Sequence, residues 1–161
     1  MDLTTIIVRL GVALLLGAVV GWEREAIDKP AGFRTVTLVC VGSTLFIVLS
    51  LDLMSRAARP QDWDPLRIVN ALIQGIGFLG AGTVLRTGET IRGLTTAAAL
   101  WAMTAVGAAV GLGMYSTAVA GTLTILIVLR GFWYLQNRWA ADNDDQTQAH
   151  ATDQNGTPAQ S

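Results

Sequence analysis

The chain has 161 residues, of which 52% are hydrophobic and 14% charged, with a net charge of −1. So low a charged fraction, against roughly 25% in soluble domains, excludes most soluble classes, and the near-zero net charge gives no pull toward nucleic acid. Cys40 and His150 are the only cysteine and histidine, so an intrachain disulfide is impossible and neither Cys/His zinc sites nor histidine catalysis has material.

Leu3 to Trp22 is the first predicted membrane span. Asp2 precedes it and Trp22-Glu23-Arg24-Glu25 follows it. A signal peptide would start basic and end in a small-residue cleavage site, so an uncleaved helix is expected. Ala13, Gly17 and Gly21, four apart, give it a small-residue packing face. Arg9 lies early in this span and reads as a cation snorkelling to the near surface, or else as a buried functional charge. Glu23 to Gly32 is a charged connector broken by Pro30 and Gly32, with Glu25 and Lys29 spaced to pair if the helix runs on. Phe33 to Leu51 is the second span. Asp52 to Pro65 is a polar loop holding Arg56, Arg59, Pro60, Asp62 and Asp64.

Leu66 to Leu85 and Leu94 to Leu112 are two further apolar runs, joined by a short charged turn, Arg86 to Gly93. The first has 20 residues and carries Arg67 as its only charge; about 20 apolar residues cross a ~30 Å hydrocarbon core. The pair predicts a transmembrane helical hairpin, with Asp64 placed to cap it and Pro65 suited to its first turn. Four glycines thin its first helix. At about 100° per residue, Ala71, Gly75 and Gly82 fall on one side and Gly77, Gly80 and Ala81 broadly on the other. Small residues let helices approach closely in lipid, so this helix is expected in the middle of the bundle. Asn70 and Gln74 share the face of Gly77 and Ala81 and should meet protein or a water-filled cavity. The GxGxxG pattern from Gly75 to Gly80 is not read as a dinucleotide loop. It lies inside an apolar run, and residues 97–103 hold no acid to bind a ribose.

Tyr115 to Leu135 is the fifth span, ending in the aromatic segment FWYLQNRW at 132–139, which suits an interfacial belt. The expected architecture is an all-α integral membrane bundle of about five helices over residues 1–139, followed by a disordered polar cytoplasmic tail, 140–161. Arg24, Lys29, Arg34, Arg86, Arg92, Arg130 and Arg138 fall on one side of the membrane, against Arg9, Arg56, Arg59 and Arg67 on the other. Seven against four places the N-terminus outside and the C-terminus in the cytoplasm.

Several segments carry a family resemblance: Gly21-Trp22-Glu23-Arg24-Glu25; Pro30-Ala31-Gly32-Phe33-Arg34-Thr35 with Leu38-Val39; Asp64-Pro65-Leu66-Arg67-Ile68; GIGFLGAG at Gly75–Gly82; and Ile91-Arg92-Gly93-Leu94-Thr95-Thr96-Ala97-Ala98 with Trp101. In this order they resemble the MgtC/SapB (YhiD-like) family of bacterial inner-membrane proteins, over roughly residues 10–115. The resemblance implies about five membrane helices and a role in adaptation to magnesium limitation, extending in pathogens to virulence and survival inside phagocytes. It also implies action through a membrane protein partner, with the F-type ATP synthase as the candidate. Family members often have Gln at the position of Ala71, whereas here Gln74 lies one turn later. The resemblance ends before the soluble C-terminal domain of longer members.

The candidate functional residues are weighed against plain packing. Glu23, Arg24 and Arg34 are either solvated boundary charges or a paired cluster that locks the first two spans or receives a partner. Asp64 and Arg67 open the third span. Asn70 and Gln74 read as interhelical glue rather than a conduction site. Gly75, Gly77, Gly80 and Gly82 read as close-packing positions. Thr95 and Thr96 suit local capping, and Trp101 packing with an indole N–H that needs a partner. Mg²⁺ prefers octahedral oxygen ligands, yet no carboxylate lies at mid-membrane. No nucleophile–base–orienter set is apparent, so no enzyme and no cofactor is expected. The first expectation is a non-enzymatic membrane regulator that works through protein partners or self-association. The second is a transporter or channel subunit for Mg²⁺ or another small ion.

Overall fold

The computed structural model describes residues 1–27, 29–57, 64–87 and 90–131. Five helices run in chain order: α1 (Leu3–Ala26), α2 (Phe33–Arg56), α3 (Pro65–Thr83), α4 (Leu94–Gly111) and α5 (Tyr115–Gly131). Two compact units divide the chain, Met1–Ile125 and Leu126–Ser161. The packing described below belongs to the first; of the second, the described residues Leu126–Gly131 are helical. The aromatic segment 132–139 and the tail 140–161 lie outside the described residues.

At 1.5 Å per residue the 24 residues of α1 and of α2 each extend about 36 Å. Both helices, and α4, are long and apolar enough to cross a membrane; α5 is a shorter apolar helix. The chain is an all-α membrane protein. α1 runs four residues past Trp22, and α2 runs on to Arg56, so part of each expected connector is helix. Asp52 and Arg56, expected in a loop, form an i,i+4 pair of 2.8 Å in the last turns of α2. The expected turn between α3 and α4 is a two-stranded antiparallel ribbon, β1 (Leu85–Thr87) and β2 (Thr90–Arg92), with Leu85 opposite Arg92. Thr87, Thr90 and Ile91 are β-branched and favour the pleated form over a helical extension. Gly93 then starts α4 at φ 91°, where a Cβ would run into the Thr83 carbonyl. Only glycine holds this position without strain.

The helix in the middle is α4, not α3. α4 packs against α1, α2 and α3, and Val106 lies against Gly121 of α5. Ten of its residues are buried, more than in any other helix described, and a stripe through Leu94, Ala98, Trp101 and Ala105 stays exposed. The close-packed glycines also lie elsewhere than expected. A Cβ at Gly17 would lie 2.9 Å from Thr37 Cα, and at Gly21 2.8 Å from Phe33 Cα. At Gly111 it would lie 2.6 Å from Ile47 Cβ, and at Gly107 it would strike the Cys40 carbonyl. These positions seat α1 and α4 against α2, with Cys40 at both contacts. The Ala13, Gly17, Gly21 face of α1 is buried as expected. Between α2 and α4 the Thr44 hydroxyl lies 2.7 Å from the Gly107 carbonyl and 3.0 Å from its own Cys40 carbonyl. Its single proton is shared across the helix contact.

Candidate functional site

While Asp64–Ile68 opens α3 at the opposite end, several of the resemblance-bearing segments meet at the ribbon end of the bundle. α1 ends there and α2 begins there. Gly21 admits the Phe33 backbone, and the Glu25 carboxylate accepts the Phe33 N–H at 2.7 Å. An anion at a helix N-terminus offsets unpaired amide dipoles, so Glu25 serves α2 rather than pairing with Lys29. Trp22 and Phe33 meet edge to face, 6.5 Å between ring centroids.

Arg24, in the last turn of α1, is 2% exposed and donates from Nη2 to the Thr96 hydroxyl at 2.9 Å. Thr96 lies in the first turn of α4, so this bond ties α1 to α4 across the bundle. Arg24 Nε and Glu23 Oε2 are buried without a hydrogen-bond partner. Glu23 supplies the neighbouring opposite charge that a buried guanidinium requires. Arg34 is exposed and does not pair with Glu23. The expected cluster is therefore split: Arg24 is a buried interhelical clamp, and Arg34 is a surface cation. Thr96 receives the clamp, while Thr95 is exposed. Trp101 is 55% exposed on the outer side of α4, so it does not act as a core-packing residue within this chain.

α3 lies at the edge of the bundle. Its described start has Pro65 in the first turn, with the Asp64 carbonyl accepting the Arg67 N–H at 3.1 Å. Asp64 and Arg67 are exposed. Gly80 packs on Ala97 of α4, with a Cβ 3.5 Å away. Gly75, Gly77 and Gly82 have open space where a Cβ would stand, and Asn70 and Gln74 are exposed. A glycine-rich helix thus need not be central: α3 presents most of its small and polar residues outward.

One element went unnoticed in the sequence. Arg9 donates from Nη1 to the Gly111 carbonyl at the end of α4. α4 closes in a Schellman motif, with Met114 N–H on the Ala109 carbonyl and Gly113 N–H on that of Val110. Gly113 sits at φ 80° to allow this. The guanidinium takes up a carbonyl left over at the negative end of the helix dipole. Arg9 is thus half-buried and bonded within the protein, at the bundle end that also holds the N-terminus. The spaced glycines Gly111 and Gly113 were the available signal of a helix stop; nothing in the sequence linked them to Arg9.

Among the described residues, no group of three or more His, Cys, Asp or Glu side chains gathers.

The sequence profile of the MgtC family matches residues 10–138. The chain is 43% identical to Protein MgtC of Salmonella typhimurium (strain LT2) over 120 residues, 74% of this chain and 49% of that protein. It is 39% identical to Protein SapB of Bacillus subtilis (strain 168) over 125 residues, 76% of this chain and 54% of that one. To Protein SrpB of Synechococcus elongatus it is 39% identical over 136 residues, 80% of this chain and 75% of that one. It thus spans about half the length of MgtC and SapB. No solved structure matches it. The matched region takes in α2, α3, α4 and α5, most of α1, and the contacts of Gly21, Arg24, Gly93 and Thr96 at the ribbon end, and on this ground the chain belongs to the MgtC family.

Proposed function

We propose that this chain is a non-enzymatic membrane regulator that acts by docking a membrane protein on the outer face of α3. The observation that carries the reading is the exposure of Asn70 and Gln74 on an edge helix. Gln74 lies about 14 Å along α3, near its midpoint. A polar group left unsatisfied in hydrocarbon costs several kcal/mol, so these amides call for a protein neighbour. Gly77, on the same face, has open space around it and allows a partner helix to approach to backbone contact.

The family resemblance extends this to adaptation to low magnesium in the bacterial inner membrane, with the N-terminus outside and the C-terminus in the cytoplasm. It names the F-type ATP synthase as a candidate partner, beside self-association, and in a pathogen it includes virulence. The transporter reading has less support, because no carboxylate is among the residues that line the large groove between α2 and α3, and its wall is mostly apolar. The Ser43 hydroxyl donates to the Val39 carbonyl and that of Thr104 to the Leu100 carbonyl.

The test uses a strain lacking the protein. It should grow poorly when magnesium is scarce and recover when magnesium is restored. Gln74→Leu should fail to rescue it while keeping normal amounts of folded protein, and purified protein in liposomes should not raise Mg²⁺ flux. Protein-dependent flux abolished by Gln74→Leu would establish the transporter instead. Normal growth of the deletion strain would refute the magnesium role.

A further inference from the structure

Asn70, Gln74 and Gly77 form one strip on the outer face of α3, within about 60° of one another around the helix. Asn70 and Gln74 are exposed, and among the described residues neither amide has a hydrogen-bond partner. A Cβ added at Gly77 would meet nothing within 4 Å. Ile73 and Phe78 flank the strip on either side, 42% and 83% exposed, so Gly77 is the floor of a notch between two large side chains. Arg67 is exposed at the start of α3, a turn before Asn70, and the strip itself carries no charge.

The chemistry of this strip is self-complementary. A carboxamide donates through its NH2 group and accepts through its carbonyl, so an identical amide satisfies it in both senses. A carboxylate or an ammonium group would bring an uncompensated charge to mid-membrane. An apolar helix or a lipid tail would leave both of its bonds unmade. Depth narrows the choice further. Every copy of a membrane protein is inserted in the same orientation, so the α3 of a second copy runs parallel to the first and holds its Gln74 at the same level. Across a two-fold axis along the membrane normal, each residue faces its own counterpart. Gln74 then meets the second copy's Gln74, Asn70 meets its Asn70, and the open space at the two Gly77 positions lets the backbones close to contact.

We propose that the protein forms a two-fold homodimer through the outer faces of α3, with the paired Gln74 carboxamides at its centre. The proposal rests on the reading of that face as a docking site and names its occupant. Any other membrane protein then reaches the face only by displacing the second copy.

The experiment reconstitutes the full chain alone in liposomes of phosphatidylethanolamine and phosphatidylglycerol, with one fluorophore at the C-terminus. Subunits are counted by single-molecule photobleaching as the protein is diluted in lipid. The wild type should bleach in two steps, giving way to one only at high dilution. Gln74→Leu removes both bonds of the central amide pair and should weaken association about ten-fold, while Gln74→Asn, which keeps the amide, should weaken it less. Val19→Leu, on the exposed face of α1, should leave association unchanged. Position is read independently in cells, with Phe78 replaced by p-benzoylphenylalanine, which keeps the aromatic flank of the strip. Illumination should give an adduct of twice the mass of the chain. Single-step bleaching of the wild type at every density would overturn the homodimer, as would undiminished association of a folded Gln74→Leu. An adduct of another mass in place of the doubled one would also overturn it, while leaving the docking reading in force. The absence of any protein adduct from folded protein would remove both.

Discussion

Two glycine substitutions separate the helix that is central from the one that only looks central in sequence. At Gly107 an added Cβ would strike the Cys40 carbonyl and stand 2.8 Å from Ser43 Cβ. Backbone cannot turn aside as a side chain can, so α2 and α4 must move apart. Overpacking of this kind costs about 1–3 kcal/mol. The parting also breaks the Thr44–Gly107 bond of 2.7 Å, and interhelical bonds in membranes contribute about 0.6 kcal/mol. Set against a gain of up to ~1 kcal/mol in helix propensity, Gly107→Ala should therefore destabilise by about 1–3 kcal/mol, a roughly 5- to 140-fold shift in the folding equilibrium. At Gly77 nothing lies within 4 Å of the added carbon. There Gly77→Leu should leave stability unchanged or raise it, by up to ~1 kcal/mol from helix propensity. Reversible unfolding in mixed micelles, followed by circular dichroism, measures both. The same Gly77→Leu protein should lose capture of its membrane partner while fully folded. Equal destabilisation by the two substitutions, or a larger loss at Gly77, would refute the placement of α4 at the centre and of α3 at the edge.

Other expectations follow from single contacts. Arg24→Met and Thr96→Val should each destabilise, with a coupling in the double mutant of roughly 0.5–1.7 kcal/mol; strict additivity would deny the clamp. Glu23→Gln and Arg34→Gln should be additive in stability because the two side chains do not pair, and coupling above about 0.5 kcal/mol would show that they do. Arg9→Met, which keeps the aliphatic stem, should lower stability by about 1 kcal/mol through loss of the helix-end interaction, whereas an unchanged melting temperature would mean that Arg9 only snorkels. A reporter active only outside the cytoplasm, fused after Ala141, should stay silent, and strong activity there would reverse the orientation argued from the arginines.

Hydropathy and helical spacing alone determined that this is a membrane protein, how many helices it has, and that Ala13, Gly17 and Gly21 form a packing face. Such properties are local: a run of 20 apolar residues spans a bilayer whatever it packs against. The motif segments, too, were legible as a set. What they do to one another was not. Glycine thins a helix wherever it stands, but whether a neighbour fills the space depends on distant chain: Gly107 and Gly111 meet α2, while Gly75, Gly77 and Gly82 meet nothing. Charge behaves alike. Glu23, Arg24 and Arg34 looked equivalent at the boundary, yet only Arg24 reaches a residue 72 positions away. Arg9 reaches the end of α4 across 102. Such pairings are made by the docking of α1 and α4, and a linear pattern carries no record of the register in which two helices meet.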